Sequence, residues 1–226
     1  MPYRRTESVV RRLAARHGAI LAAARAAAAE GGMAAVQIAP VAARAGIAAG
    51  TVYRYFPSKT DLVVGLVRAV SQEEIGAVER AADGAPGPLS ALATAITIFA
   101  SRARAQGRLA RAMLGDPIDP HADELRLGFR KPLAAEFQPR IERAIAGGYL
   151  PAQDARISAA AAVGALLEGL ASPLAPQAVE GGRDAVQALT LFVLCGLGLP
   201  DARARGLVAS LKVGDARTRA ESEPRT

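Results

Sequence analysis

The chain has no tryptophan, one cysteine, two histidines and three methionines among its 226 residues, and aromatic side chains make up 4% of it. A single Cys195 excludes an intramolecular disulfide and fits a reducing cytoplasm. Within the apolar run 185–200 it reads as a small buried residue rather than a reactive thiol. His17 and His121 stand alone, with no Glu-x-x-His or Cys/His cluster beside them, so no metal site is expected. No spacing suggests a nucleophile–base pair and no glycine-rich phosphate loop occurs. The sequence therefore assigns no catalytic residue and no cofactor, and an enzymatic reading lacks the polar constellation it would need. The alternation of β-branched and aromatic residues that marks strands is also missing, whereas alanine abounds, which points to an all-α fold.

Two further absences concern location. The uncharged run Ala185–Pro200 is sixteen residues long, short of a bilayer span, and contains Gln187 and Thr190. No membrane association is expected from it. The basic N-terminus is not followed by an unbroken apolar segment, because Arg16 and Arg25 interrupt it, so no secretion signal is read there.

What is present is charge of one sign at one end. Residues 1–60 hold nine Lys/Arg (Arg4, Arg5, Arg11, Arg12, Arg16, Arg25, Arg44, Arg54 and Lys59) against Glu7 and Glu30. Residues 61–226 hold nineteen of each sign, so the whole net charge of +7 lies in the first sixty residues. A local positive field of this kind raises association rates with polyanions and supplies the sequence-independent part of DNA affinity.

The same end carries a motif. Residues 36–62 read as two short helices reversed at Gly46, where crossed helices need a small residue, followed by a third helix. Pro40 suits the first turn of the first of these, Ile47 can plug the joint, and Ser58 three residues before Asp61 forms a capping pattern. On a helical wheel over 48–56, Val52 and Phe56 fall together on the core side. Gly50 and Arg54 lie opposite, flanked by Thr51 and Tyr53, with Tyr55 toward the core edge. Gly50 lets the backbone approach a groove. Arg54 can fork onto guanine or phosphate, and Tyr53 can stack or bond a phosphate. Lys59 opens the next helix, where the macrodipole disfavours a cation unless an anion such as a DNA phosphate docks there.

The pattern Ala42-x-x-Ala45-Gly46-Ile47-x-x-Gly50-Thr51-x-Tyr53-x-Tyr55-Phe56-x-x-Lys59-x-x-Leu62 resembles the signature of TetR-type transcriptional regulators. Ile20-Leu21-x-Ala23-Ala24 and Glu30-Gly31-Gly32 resemble that family's first helix and its end, so the likeness spans roughly 12–66. The resemblance implies an all-helical homodimer that binds palindromic double-stranded DNA, most often as a repressor released by a small molecule in its C-terminal domain. It also places a phosphate-binding lysine at Lys59 and the other DNA contacts among Ala49, Gly50, Thr51, Tyr53, Arg54 and Tyr55. Two residues depart from the pattern: Ala48 stands where a serine-type cap is common, and Ala49 where a polar or basic reader is frequent.

Beyond the motif the guide is periodicity. Helix 1 is expected over Ser8–Glu30; the chain breaks at Pro57, and helix 4 runs from the Ser58 cap to about Ala82. After the linker 83–88, Leu89, Leu92, Ile96 and Phe99 form a helical stripe. Asp119-Pro120 reads as a helix start. Phe129, Leu133, Phe137, Ile141 and Ile145 follow at steps of four, with Pro132 and Pro139 predicting a kink or split. Two final helices, about 154–172 and 182–199, are apolar on most sides and call for a partner subunit. About nine helices result, in a helix-turn-helix domain at 1–62, a helical effector-binding and dimerisation domain at 63–212, and a disordered tail at 213–226. The expected dimer contacts are Ala161, Ala165, Leu189, Phe192 and Val193. The expected effector site comprises Phe99, Met113, Leu114, Phe129, Phe137 and Leu167 as walls, with Arg102 and Glu168 as polar anchors. Control by a protein partner instead of a small molecule is the competing reading.

Overall fold

A computed structural model describes residues 7–115, 122–171 and 182–211, with side chains at 114–115, 122–127, 171 and 182–184 excepted. The start at Asp119-Pro120, His121, and the tail 213–226 lie outside the described residues. Ten α-helices, one 3₁₀ turn and no strand are formed by the described residues. They are α1 (Glu7–Gly31), α2 (Ile38–Arg44), α3 (Ala49–Tyr53), α4 (Lys59–Asp83), α5 (Pro88–Gln106), α6 (Arg108–Gly115), α7 (Ala122–Ala146), α8 (Ala155–Ala171), α9 (Gly182–Gly196) and α10 (Asp201–Ser210).

The local chemistry accounts for most boundaries. Gly32 ends α1 with φ 73°, and Gly46 reverses the chain between α2 and α3 with φ 65°, both in the left-handed region where a side chain is strained. Ser58 caps α4 by accepting the Asp61 N–H at 3.0 Å, while its hydroxyl donates to the Asp61 carboxylate at 2.7 Å. Asp154 caps α8, accepting the N–H groups of Arg156 at 2.8 Å and Ile157 at 3.2 Å. Those two bonds hold its carboxyl below the usual range.

Two expectations are corrected. Of the kink or split expected at Pro132 and Pro139, the split does not occur: helix α7 runs unbroken through both. Packing outweighs the missing backbone bonds there, because Phe129, Leu133, Phe137 and Ile141 are all buried along one side. The tenth helix, α10, was not anticipated; Ala204 and Val208 bury its inner face.

The buried apolar residues form two separate cores. The first joins Ile20, Ala24 and Ala28 of α1 to Val41, Val52, Phe56 and the α4 residues Leu62 to Val70, and includes Leu109, Ala112 and Met113 of α6. The second begins on the same α4 at Val78 and runs through α5, α7, α8, α9 and α10. One helix thus belongs to both, and we call the two parts head and body. Gly65, on the head part of α4, has the Phe56 ring against it: a Cβ built there would lie 2.6 Å from Phe56 Cε1.

Candidate nucleic-acid interface

The head exposes the face that the helical wheel places outward. Val52 is fully buried and Phe56 nearly so, whereas Gly50, Tyr53, Arg54 and Lys59 are exposed and Ala49, Thr51 and Tyr55 are half-buried. Helix α3 is short, ending at Tyr53. Arg54 therefore sits at the C-cap with helical backbone angles and Tyr55 in the following turn. Ala48 occupies the N-cap of α3 with no side-chain bond, leaving the first turn held by Thr51 N–H to Ala48 C=O at 2.8 Å. Lys59 is the first residue of α4.

Which cations are free decides what this face can do. Of the head's basic residues, Arg44 is held by Glu30, its Nη1 donating at 2.9 Å, and Arg25 by Glu73. Arg54 and Lys59, like Arg11, Arg12 and Arg16 on exposed turns of α1, have no carboxylate partner among the described residues. Among the described residues the unpaired cations are thus on the first half of α1, at the C-cap of α3 and at the start of α4, and the paired ones are near the end of α1 and of α2. Such an array can neutralise phosphates, and Arg54 with Tyr53 can reach base edges beside it.

His17 was not singled out from the sequence. Its ring stacks on Phe56 at 5.0 Å and tilts toward Tyr55 at 6.2 Å, so α1 braces the chain just past α3. The signal was its place in the stripe Leu13, His17, Ile20, Ala24.

The residues named for an effector site fare differently. Phe99, Phe129, Phe137 and Leu167 are all buried in the body core, with the Phe99 and Phe129 rings 6.1 Å apart. Met113 is not among them: α6 folds back and inserts it into the head core against α1. Leu114 lies on the same helix, its side chain outside the described residues. Glu168 points to solvent from α8, and Arg102 is taken up by carboxylates of α4. Two surface grooves, of about 530 Å³ beside Tyr149 and Arg203 and about 410 Å³ between α7 and α8, contain none of the expected walls.

On the terminal helices, Phe192 and Ile157 are 66% and 70% exposed, Ala161 is exposed, and Ala165 and Leu189 are half-buried. Val193 turns the other way and is buried in the chain's own core, because adjacent helical residues lie about 100° apart. No described helix is long and apolar enough to cross a membrane.

Comparison with known proteins agrees with the motif. The family described as bacterial regulatory proteins, tetR family, matches residues 20–66. The chain is 33% identical over 126 residues to the HTH-type transcriptional repressor KstR of Mycobacterium tuberculosis, covering 56% of this chain and 53% of KstR. It spans about half the length of the curated relatives it matches. Among solved structures, RolR in complex with resorcinol superposes with a TM-score of 0.67 at 18% identity, covering 89% of this chain and 97% of that one. SmeT, described as the repressor of the Stenotrophomonas maltophilia multidrug efflux pump SmeDEF, superposes with a TM-score of 0.60 at 22% identity, over 80% and 89% of the two chains. At these identities the structural likeness speaks for the fold. With a helix-turn-helix reversed at Gly46, an exposed reading face and an all-helical body, the chain is similar over residues 20–66 to the tetR family of bacterial regulatory proteins and shares the fold of its solved neighbours.

Proposed function

We propose that the protein is a transcriptional repressor that binds a palindromic operator as a homodimer in the cytoplasm and releases it when a small molecule enters the body. The carrying observation is the contrast among the head's cations. Arg25 and Arg44 are paired within the fold, while Arg54 and Lys59 stand unpaired on an exposed face whose opposite side, Val52 and Phe56, is locked into an apolar core. A cation left free beside exposed Gly50 and Tyr53 serves an external anion better than it serves the fold. The curated relatives named as repressors support the sign of regulation, and the resorcinol complex of a structural neighbour supports a small-molecule effector. The division into a DNA-binding part and an effector and dimerisation part follows the two cores. On this reading the division falls within α4, between Val70 of the first core and Val78 of the second. The effector site is proposed around Phe99, Phe129, Phe137 and Leu167.

Selection from randomised duplexes tests the reading. An inverted repeat should be enriched; recovery of unrelated sequences, with binding that vanishes at physiological salt, would refute it. The dimer is proposed to form through α8 and α9, where exposed Ile157 and Phe192 are large apolar side chains in search of cover. Phe192→Glu should give monomers in light scattering and abolish binding to the inverted repeat, since the charge enters a two-fold interface twice. A dimer that survives the substitution places the interface elsewhere. Val193 is unsuitable for this test because its substitution would strike the body core.

A further inference from the structure

Between the two cores, α4 carries polar residues where an apolar stripe would continue. Ser71 and Glu74 are buried there, Glu74 with 5% of its surface exposed. A carboxylate this far from water must be paired. Its Oε2 accepts from Arg102 Nε at 2.7 Å and its Oε1 from Arg102 Nη2 at 2.9 Å, a two-pronged bond between α4 and α5. The Gln106 side-chain amide, one turn further along α5, donates to the same Oε1. Arg102 Nη2 also lies 3.3 Å from Glu73 Oε1, and the other oxygen of Glu73 accepts from Arg25 of α1. The chain Arg25–Glu73–Arg102–Glu74–Gln106 therefore fastens α1, α4 and α5 at one level.

That level is where the body meets the head. Immediately after Gln106, Gly107 turns the chain with φ 49°, and α6 inserts Leu109, Ala112 and Met113 into the head core. Apolar packing is non-directional and tolerates rotation. A guanidinium forked onto a carboxylate fixes an angle. Resting on the DNA-binding reading above, we propose that Arg102 and Glu74 are positioning residues that set the angle at which the body carries each head, and so the half-site separation that the dimer accepts.

The test uses the full chain and duplexes with identical half-sites moved apart or together one base pair at a time. Wild type should prefer one separation sharply, since half-sites must recur at one turn, roughly 34–36 Å. Arg102→Met and Glu74→Gln should each lower affinity at the best spacing by about tenfold, the order expected from removing a charge-assisted hydrogen bond. Each should also flatten the profile so that neighbouring spacings bind nearly as well. The two substitutions change net charge in opposite directions, so a shared flattening cannot come from altered attraction to DNA. A profile as sharp as wild type in either variant overturns the proposal, whatever the absolute affinity, because partial misfolding lowers all spacings alike. Amide hydrogen exchange gives an independent readout without DNA. In both variants exchange should quicken along residues 108–113 and 24–30 while α2 and α3 keep wild-type rates; unchanged exchange at 108–113 also overturns it. If wild type shows no sequence-specific binding at all, the DNA-binding reading fails, and the exchange experiment still decides whether the network holds the head.

Discussion

Head and body are both helical and both well packed, yet their interiors differ in kind. Among the described residues, every buried polar or charged side chain lies at position 71 or beyond: Ser71, Glu74, Thr97, Arg140 and Thr190. The head core is wholly apolar: Ala23, Ala24, Ala27, Ala28 and Ala42 let helices approach closely beside Ile20, Phe56, Leu62 and Leu66. The body holds bulky rings, Phe99, Phe129 and Phe137, and polar pairs inside. Thr97 and Thr190 hydroxyls meet at 3.3 Å between α5 and α9, and buried Arg140 reaches Asp83 Oδ1 at 3.0 Å and the Glu136 carboxylate beside it. Buried polar pairs contribute little net stability, but each accepts few helix registers. A small apolar head suits a platform that holds a surface rigid. A body with polar pairs suits a bundle whose helices must be set relative to one another.

Substitutions can break this comparison. The largest effect is expected for Phe137→Ala, fully buried in the body, at about 3–5 kcal/mol in chemical denaturation. The folded fraction should bind DNA as wild type does; a change in base preference would show that the two cores do not act separately. Arg140→Met should cost about 2–3 kcal/mol at neutral pH by leaving Glu136 without its buried partner. Burial already raises the carboxyl of Glu136, with Arg140 opposing that rise. A carboxyl whose folded pKa lies above its unfolded value binds its proton more readily in the folded state. The variant should therefore regain stability as pH falls from neutral through the folded pKa of Glu136 toward the ordinary carboxylate range. Parallel loss at all pH values would contradict the assignment.

On the head the effects should appear in DNA binding, with unfolding curves unchanged. Arg54→Ala should weaken specific binding by about 1–3 kcal/mol and relax selectivity at one position per half-site. A binding profile over randomised operators identical to wild type would remove Arg54 from the readers. Lys59→Ala is the mildest. It should weaken binding to all sequences alike and reduce the salt slope by roughly 1.8, because each of the two subunits then leaves one phosphate unneutralised. An unchanged slope in salt-titrated binding would refute the phosphate assignment.

The head was far more legible than the body. Gly46, the Ser58 cap and the split between Val52 and Phe56 on one side and Gly50 and Arg54 on the other are local facts. They follow from spacing within a few turns, and the structure reproduces them. The body is built from contacts distant in sequence. Arg102 and Glu74, twenty-eight positions apart, give no local sign that they will meet. Met113 looked like a body residue because it follows α5, but Gly107 sends α6 back to the head. Val193 and Phe192 are both apolar, and periodicity could not say which faced inward until α5 and α10 were in place. The prolines of α7 favoured a break by local rules, which four buried residues on one stripe overrode.

Gly65 carries a consequence for how this chain can diverge. Alanine favours a helix over glycine by about 1 kcal/mol, so a stability screen would nominate Gly65→Ala. The edge of the Phe56 ring stands where the methyl would go, with His17 stacked on the same ring. Positions 56 and 65 are therefore not free to drift independently. In an alignment of relatives, a side chain at 65 should co-vary with a smaller residue at 56, and the pair should change together or not at all.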